Sequence, residues 1–418
     1  MHDARVKQDR AFDIVLFGAT GYTGELVAEE LLARCGAGAK WAIAGRDQGK
    51  LEAVRARLAA VDPRARELPI VVADSHDRAS LDRMAREARV VCTTVGPYAL
   101  HGSELVAACA AHGTDYCDLT GEVPWMRRMI DAHDDAAKRT GARIVHACGF
   151  DSIPSDLGVL LLETESLARY GRPCEDVTLT VTSLRGGASG GTLASMLNLV
   201  AAARRDSEVR SVLRDPYALN PAGERHGRDG GDSLTVARDG ERGGYLGPFV
   251  MGPVNTRVVR RSNALLGYRY GRELRYREAM QYGTGARGLV MANGARVAIL
   301  GLVAGAAFAP TRRLLGRLLP KPGQGPTREA RESGHFRVRI AGSLVDAGGT
   351  ARTIACRVEG HRDPGYGSTA ILLAESALCL ACDAPVDVHT SGVLTPATAL
   401  GITLVRRLRD AGMVLAVE

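Results

Sequence analysis

Residues 13–24 read DIVLFGATGYTG, an apolar run followed at once by glycines at positions 18, 21 and 24. The run predicts a buried strand, and the amphipathic segment 25–34 predicts a helix directly after it. Gly18 permits a tight turn, Gly21 lets the backbone approach a pyrophosphate, and Gly24 lets the helix pack on the strand. N–H groups at the start of that helix would face the anion. The predicted dinucleotide site comprises Gly18, Ala19, Thr20, Gly21, Tyr22, Thr23 and Gly24.

Outward from this turn, residues 13–148 alternate short apolar runs with helix-like segments, which is typical of βαβ units around a parallel sheet. The predicted strands are Asp13–Phe17, Trp41–Ala44, Pro69–Ala73, Arg89–Thr94, Asp115–Asp118 and Arg143–Ala147. After Asp151 the pattern changes to a strand at 177–182, a helix at 192–207, long loops over 215–256, a hairpin near 336–358 and helices at 366–382 and 396–411. The predicted fold class is α/β, a Rossmann-like doubly wound parallel sheet with a second α+β domain.

The predicted domains follow from this change of pattern. Residues 1–12 form a tail, 13–150 a Rossmann domain that carries the dinucleotide site, and 151–395 an α+β domain for substrate binding or oligomerisation. Residues 396–418 carry a C-terminal helix, for which packing back on the Rossmann domain is one option.

The composition is that of an ordinary globular protein. With 418 residues and 45% hydrophobic content, the chain can form two domains with cores of their own. The net charge of +7 favours acidic partners, and no nucleic-acid partner is predicted. The first ten residues contain no apolar run, so we expect a cytoplasmic protein without a signal peptide. The nine cysteines, an odd number scattered through apolar stretches, do not suit a disulfide framework. Cys379 and Cys382 form a C-x-x-C inside an apolar helix-like run, so buried thiols are predicted there in preference to a metal or redox site.

The most hydrophobic stretch, 288–310, is interrupted by Asn293 and Arg296, which leaves an apolar run too short for a transmembrane helix. Two interpretations stay open. One, the favoured one, is a buried helix with a solvated basic end. The other is an interfacial helix, with peripheral membrane contact through residues 288–321, whose Arg312, Arg313, Arg317 and Lys321 would touch acidic headgroups.

The residues after the second strand indicate which dinucleotide binds. That strand ends without a carboxylate and is followed by Arg46, which can pair with a 2′-phosphate, so NADP(H) is favoured over NAD(H). Asp47 follows at once, and a merely solvated Arg46 is the alternative. Asp74, after the third strand, would suit the adenine amino group, while Gly96 and Pro97, after the fourth, would lie near the nicotinamide ribose.

Two other catalytic classes fit poorly. None of the five lysines has a tyrosine four residues earlier, which excludes the Tyr-x-x-x-Lys site of short-chain dehydrogenases. Residues 187–191 match G-x-S-x-G around Ser189, but several residues separate Ser189 from the preceding strand, so a hydrolase nucleophile elbow is disfavoured.

Several strings together resemble a known family: GATGYTG (18–24), AGR (44–46), TTVGPY (93–98), DLTGE (118–122), ACGFDSIPSD (147–156), NTRVVRRSNAL (255–265), PKPGQGP (320–326) and GVLTPA (392–397). The chain resembles the saccharopine dehydrogenase-like oxidoreductases along nearly its whole length. The strings after residue 147 are similar in particular to the mycobacterial trans-acting enoyl reductases.

The resemblance implies an NADPH-dependent reduction of the double bond of a polyketide or lipid thioester, held on the acyl carrier domain of a separate synthase. A homo-oligomer is compatible with this interpretation. The alternatives are an amino-acid dehydrogenase of the saccharopine type, or a non-catalytic nucleotide-binding protein associated with lipids or membranes.

The resemblance supplies no catalytic pair, so position at the strand ends selects the candidates. These are Tyr98, His101, Asp151 and Ser152, with Glu122 beside them. Tyr98 is a candidate proton donor, whereas Ser152 precedes a predicted helix and can serve as its cap. The alternatives are a loop or helix-start role for His101 and a role confined to its turn for Glu122. For an acidic carrier domain, the expected docking face includes Arg257, Arg260, Arg261 and Arg269, with a solvated surface run as the alternative.

Overall fold

The computed structural model describes residues 10–35, 38–187, 190–240, 242–308, 310–311, 325–385 and 391–418, apart from the side chains of residues 191–193 and 307. These residues form two compact units. The first comprises the described residues of 1–153, 325 and 365–411. The second comprises the described residues of 154–311, 326–364 and 412–418.

The strands and helices are numbered in chain order. The strands are β1 (Phe12–Phe17), β2 (Trp41–Gly45), β3 (Ile70–Val72), β4 (Ala88–Thr93), β5 (Asp115–Cys117), β6 (Arg143–Val145), β7 (Asp176–Arg185), β8 (Ala237–Arg238), β9 (Tyr245–Gly247), β10 (Arg275–Gln281), β11 (His335–Val345), β12 (Ala351–Gly360), β13 (Gly392–Leu394) and β14 (Val414–Val417). The α-helices are α1 (Tyr22–Arg34), α2 (Gln48–Val61), α3 (Arg78–Glu87), α4 (Tyr98–His101), α5 (Ser103–His112), α6 (Val123–Thr140), α7 (Ile153–Tyr170), α8 (Gly190–Arg205), α9 (Ser207–Arg214), α10 (Gly252–Leu265), α11 (Gly285–Ala307), α12 (Arg328–Glu332), α13 (Thr369–Cys382), α14 (Pro396–Ala399) and α15 (Gly401–Asp410).

The first unit contains a sheet of seven strands in the order β13-β6-β5-β4-β1-β2-β3, and every neighbouring pair is parallel. The chain proceeds from β1 towards β3 in one direction and from β4 towards β6 in the other. The junction of β1 and β4 is therefore the switch point at which open α/β sheets bind ligands. All six predicted strands are present, and the predicted α/β class is confirmed. The seventh strand, β13, was not predicted.

Helix α13 also belongs to the first unit, where it packs on α1 and on strands β1, β4 and β5. Arg34 of α1 pairs with the buried Glu375 of α13 at 3.2 Å. Residues 365–395 were predicted as part of the second domain, so the boundaries in the structure differ from the predicted ones. The last strand, β14, pairs with β12 in the second unit, whereas α14 and α15 lie in the first.

The second unit is an α+β structure built on another seven-stranded sheet, in the order β14-β12-β11-β7-β10-β9-β8. β7 and β10 are parallel, and the other neighbours are antiparallel. The predicted hairpin is β11–β12, with longer strands than expected. Helix α7 packs on this sheet through Gly158, because a Cβ at that position would lie 2.2 Å from Cδ1 of Ile340.

Buried arginines of α10 hold the loop-rich segment that precedes it. Arg257 donates to the carbonyls of Leu213, Asp215 and Pro253 and pairs with Asp232 at 2.9 Å. Three of the four arginines proposed as a docking face are buried, with exposed fractions of 1%, 7% and 2% for Arg257, Arg260 and Arg261. That proposed face is wrong, because these guanidinium groups bind loop carbonyls and carboxylates inside the unit.

Two helices in the described part of the chain are long and apolar enough to cross a membrane by length and composition alone. Residues 364–382, which include α13, are 89% buried, as is usual for a core helix. Residues 285–306 of α11 are only 11% buried. The favoured interpretation of this stretch as a buried helix is therefore wrong, because one narrow face of α11 contacts α8 and β9 and the rest is exposed.

Candidate functional site

The turn between β1 and α1 requires glycine at two positions for the fold itself. Gly18 has φ +94°, and its N–H donates to the carbonyl of Ala44 at 2.9 Å. A side chain there would be strained and would meet Cγ2 of Val95 at 2.7 Å. At Gly24, a Cβ would lie 2.1 Å from the carbonyl oxygen of Gly18. The first turn of α1 therefore packs directly on the backbone of the glycine turn.

Gly21 differs, because nothing in the fold demands a glycine there. Its backbone is extended (φ −85°, ψ 158°), it is exposed, and a Cβ would meet only the Gly18 carbonyl oxygen at 3.5 Å. As the N-cap of α1 it offers no side-chain hydrogen bond to the first turn. The missing side chain leaves the N–H groups of that turn accessible, which suits a pyrophosphate.

The other residues of the turn line it on two sides. Ala19 is buried and donates its N–H to the Ala44 carbonyl, whereas Thr20, Tyr22 and Thr23 are partly exposed. The ring of Tyr22 packs edge-on against that of Tyr366, with centroids 4.9 Å apart. The residues predicted for a dinucleotide site therefore lie together around one open turn.

Arg46 and Asp47, adjacent in sequence, have different roles at the end of β2. Asp47 is the N-cap of α2, and its Oδ1 accepts the N–H of Lys50 at 3.0 Å, so its carboxylate serves the helix. Arg46 is exposed and forms no hydrogen bond or ion pair with another described residue. An unpaired guanidinium at this strand end fits a 2′-phosphate.

Asp74 and His101 lie on the same side of the sheet as Arg46. Asp74 Oδ1 accepts the backbone N–H of His76, and His76 Nε2 lies 3.1 Å from Nδ1 of His101. Partial burial lowers the pKa of His101, and the charges of His76 and Arg46 lower it further. The loops at this edge therefore bring His76 and His101 together, and the charge of Arg46 also acts on His101.

The segment after β4 carries Gly96, Pro97 and Tyr98. Gly96 donates its N–H to the carbonyl of Thr94, and Glu122 accepts the backbone N–H groups of Tyr98 and Ala99, both at 2.9 Å. The carboxylate of Glu122 thus anchors the start of α4, in line with a role in its turn.

Tyr98 itself is buried, with an exposed fraction of 4%. Its hydroxyl donates to the carbonyl of Thr93 and accepts the N–H of Leu119, and burial raises its pKa well above the usual value. This placement favours a structural role for Tyr98 over proton donation.

Asp151 and Ser152 follow β6 at the carboxyl edge of the sheet. Ser152 is fully buried directly before α7. Asp151 is partly exposed and forms no hydrogen bond or ion pair with another described residue. Desolvation raises the pKa of its carboxyl to about 6. A carboxyl group that titrates near neutral pH and has no internal partner is suited to acid–base work.

Sequence reasoning missed a buried cluster at the ends of β5 and β6. Asp118 Oδ2 lies 2.7 Å from Nδ1 of His146 and accepts the hydroxyl of Tyr116. Asp118 Oδ1 accepts the N–H groups of Thr120 and Ala147, and Ala147 has φ +62°. The sequence signal that could have identified this cluster is an aspartate and a histidine placed after two adjacent strands. Both side chains are at most 1% exposed, and the hydrogen bonds of Asp118 hold the loops that follow β5 and β6 in place.

Two further features of the sequence concern Ser189 and the cysteines. Ser189 of the G-x-S-x-G string lies outside the described residues. Cys379 is buried, and burial raises the pKa of its thiol to about 12. Within the ranges that the structure covers, no group of three or more His, Cys, Asp or Glu side chains could hold a metal ion.

Comparison with known proteins agrees with this geometry. Residues 14–145 match the family model of the saccharopine dehydrogenase NADP-binding domain, so the cofactor is NADP(H). The chain is 44% identical over 97% of both chains to Rv2449c of Mycobacterium tuberculosis. It is 42% identical to a Mycobacterium bovis protein named trans-acting enoyl reductase, over 97% of this chain and 98% of the relative.

Among solved structures, saccharopine dehydrogenase (L-Glu forming) of Saccharomyces cerevisiae aligns with a TM-score of 0.56 over 97% of this chain and 99% of its own. Its sequence identity is 13%, so this similarity shows the two-domain fold alone. The identity to the mycobacterial relatives extends over nearly the whole length of both chains. The chain therefore belongs to the NADP-dependent oxidoreductases of the trans-acting enoyl reductase family.

Proposed function

We propose that this chain reduces the carbon–carbon double bond of an unsaturated acyl chain that a carrier domain of a separate synthase presents as a thioester. The observation that carries the proposal is the identity of 42% over nearly the full length to a relative named for this activity. The open glycine turn, the unpaired Arg46 and the partnerless carboxyl of Asp151 supply matching chemistry at one edge of the first sheet.

Binding of the cofactor falls to residues of the first unit. The N–H groups at the start of α1 would hold the pyrophosphate, with Gly21 leaving them accessible, and Arg46 would hold the 2′-phosphate. Asp74 would lie towards the adenine, and Gly96 and Pro97 towards the nicotinamide ribose. When bound, NADPH supplies the hydride that the double bond takes up at its β-carbon.

Asp151 would supply the proton that the α-carbon takes up. Its protonated carboxyl, with a pKa of about 6, can donate near neutral pH, and its partial exposure lets water return the proton afterwards. Reduction then adds one hydride and one proton across the double bond, and the thioester stays intact.

Replacing Arg46 by alanine is expected to weaken NADPH binding about tenfold or more and to leave NADH binding unchanged. The lost charge-assisted hydrogen bonds to the 2′-phosphate are worth about 1.5–3 kcal/mol. Calorimetric titration of both dinucleotides measures the change. Arg83, which is exposed on α3, offers a matched control, and Arg83→Ala should retain the NADPH preference. An unchanged preference in Arg46→Ala would exclude Arg46 from the site.

The carrier requirement is tested by measuring NADPH oxidation on an enoyl chain attached to a carrier domain and on the same chain as a small free thioester. We expect kcat/KM to be at least about tenfold higher for the carrier-bound chain, and this advantage to fall with salt, because the chain carries a net charge of +7 and carriers are usually acidic.

Equal rates for the two substrates, indifferent to salt, would contradict carrier docking. A protein that binds NADPH but reduces neither substrate would contradict the enoyl reductase proposal as a whole. Oxidation of amino acids by the same protein would then support the saccharopine-type alternative.

A further inference from the structure

Helix α11 presents a long apolar surface outside the proposed site. It has 23 residues, which at 1.5 Å per residue corresponds to about 34 Å. Gly288, Ala292 and Ala306 are buried on the face that contacts α8 and β9. These small residues allow close packing on one side and leave the larger side chains on the other.

The outward face of α11 is formed by exposed apolar side chains along the whole helix. They are Leu289, Val290, Met291, Val297, Leu300, Val303 and, just beyond the helix, Phe308. Val290 and Val297, two turns apart, are 69% and 66% exposed, and Phe308 is 61% exposed. Soluble monomers rarely expose a contiguous apolar patch larger than a few hundred Å², so such a face is expected to be covered by a partner.

The charged side chains of α11 itself are all of one sign. Residues 285–311 contain no Asp or Glu, and the two charged residues of α11, Arg287 and Arg296, are both exposed. At the end of α8, the exposed Arg204 lies with its guanidinium carbon 5.5 Å from the centroid of the Phe308 ring. A partner that covers this face must therefore be apolar over a length of several turns and negatively charged at its border.

Two occupants fit these features less well. In a second copy of the chain, the same face would carry the same arginines, with no carboxylate of residues 285–311 on either copy to pair with them. An acidic carrier domain would satisfy the arginines through charge. Charge attraction alone does not account for an apolar surface about 34 Å long.

We propose that the outward face of α11 binds the surface of an anionic lipid bilayer, with the helix lying in the plane of the interface. Apolar side chains such as Val290 and Val297 would enter the boundary between headgroups and acyl chains. Arg287, Arg296 and Arg204 would reach the phosphates at its border. An ordinary interfacial helix has a polar face that points to water. In α11 the opposite side is covered by α8 and β9 of the second unit.

The test is flotation of the full-length protein with vesicles of phosphatidylcholine alone or mixed with phosphatidylglycerol. We expect binding to be about tenfold or more stronger to the mixed vesicles, and to weaken with salt, since each arginine near an anionic surface adds to affinity. The double substitution Val290→Asp and Val297→Asp should abolish vesicle binding and leave NADPH affinity unchanged. Val61, an isolated apolar residue that is 79% exposed on α2, provides the control Val61→Asp, which should bind vesicles as before.

Absence of vesicle binding, or equal binding to both vesicle types, would overturn the proposal, as would undiminished binding by the double variant. Analytical ultracentrifugation and carrier binding decide the occupant in that event. A dimer that dissociates in the double variant would assign the face to a second copy, and loss of carrier binding would assign it to the carrier. The inference does not depend on the proposed reaction, since vesicle binding is measured without substrate.

Discussion

Replacing Gly21 by valine is expected to reduce NADPH binding below detection in a chain that still folds. The extended backbone at Gly21 suits any residue, and a Cβ there meets nothing closer than 3.5 Å. The added side chain would instead occupy the space over the first turn of α1, where the pyrophosphate must reach the backbone N–H groups. Calorimetric titration with NADPH measures the loss of binding, and thermal unfolding shows whether the variant still folds.

Two other glycines serve as controls. Gly24→Val should destabilise the fold by about 3 kcal/mol or more, because its Cβ would lie 2.1 Å from the Gly18 carbonyl oxygen and neither backbone can yield cheaply. Gly38→Val should change neither property, since a Cβ at that exposed position has no neighbour within 4 Å. A folded Gly21→Val protein that still binds NADPH would show that this turn is not the phosphate site.

Replacing Asp151 by asparagine is expected to lower kcat for the carrier-bound enoyl chain by about a hundredfold or more and to leave NADPH affinity unchanged. General-acid catalysis contributes rate factors of about 10²–10⁴, and asparagine keeps the shape of the side chain without its acidic proton. The structural reason is the combination of partial exposure, absence of a hydrogen-bond partner among the described residues and a pKa raised to about 6.

The pH profile separates this role from a structural one. The protonated carboxyl is the donor, so kcat of the unmodified protein should fall as the pH rises through about 6, and the asparagine variant should lose that dependence. The matched control is Glu278, another carboxyl whose pKa burial raises, to about 7. Its oxygens accept hydrogen bonds from Tyr276 and Asn255, so Glu278→Gln should keep the pH profile. A profile unchanged in Asp151→Asn would assign proton donation to another group.

The fold of the first unit was largely predictable because its signals are local. Each of the strands β1 to β6 is an apolar run bounded by turn residues, and the glycine turn marks the first crossover. β13 could not be found in this way, since three residues carry little periodicity and its partner β6 lies about 250 positions earlier in the chain. A still longer separation along the chain hid the packing of α13 on α1.

Charges were the weakest point of the prediction. A run such as Arg257, Arg260 and Arg261 is typical of a solvated face, yet each side chain is buried, because carbonyls and carboxylates of residues 213–232 surround it. The contact between Asp118 and His146 also depends on tertiary structure, because the pairing of β5 with β6 brings the two side chains together. The exposure of α11 could not be predicted either. Its composition is that of a core helix, and only the fold shows which side is covered.

The order in which the parts of the first unit occur along the chain affects how it can fold during synthesis. β13 covers the edge of β6, and α13 covers strands β1, β4 and β5, but both come after residue 368. A ribosome makes some 200 intervening residues before these elements emerge, and until then a strand edge and an apolar sheet surface stay open to solvent. Nascent chains should consequently depend on chaperones for most of their synthesis, and messages truncated before the last fifty codons should yield protein that is degraded even though it contains the entire glycine turn.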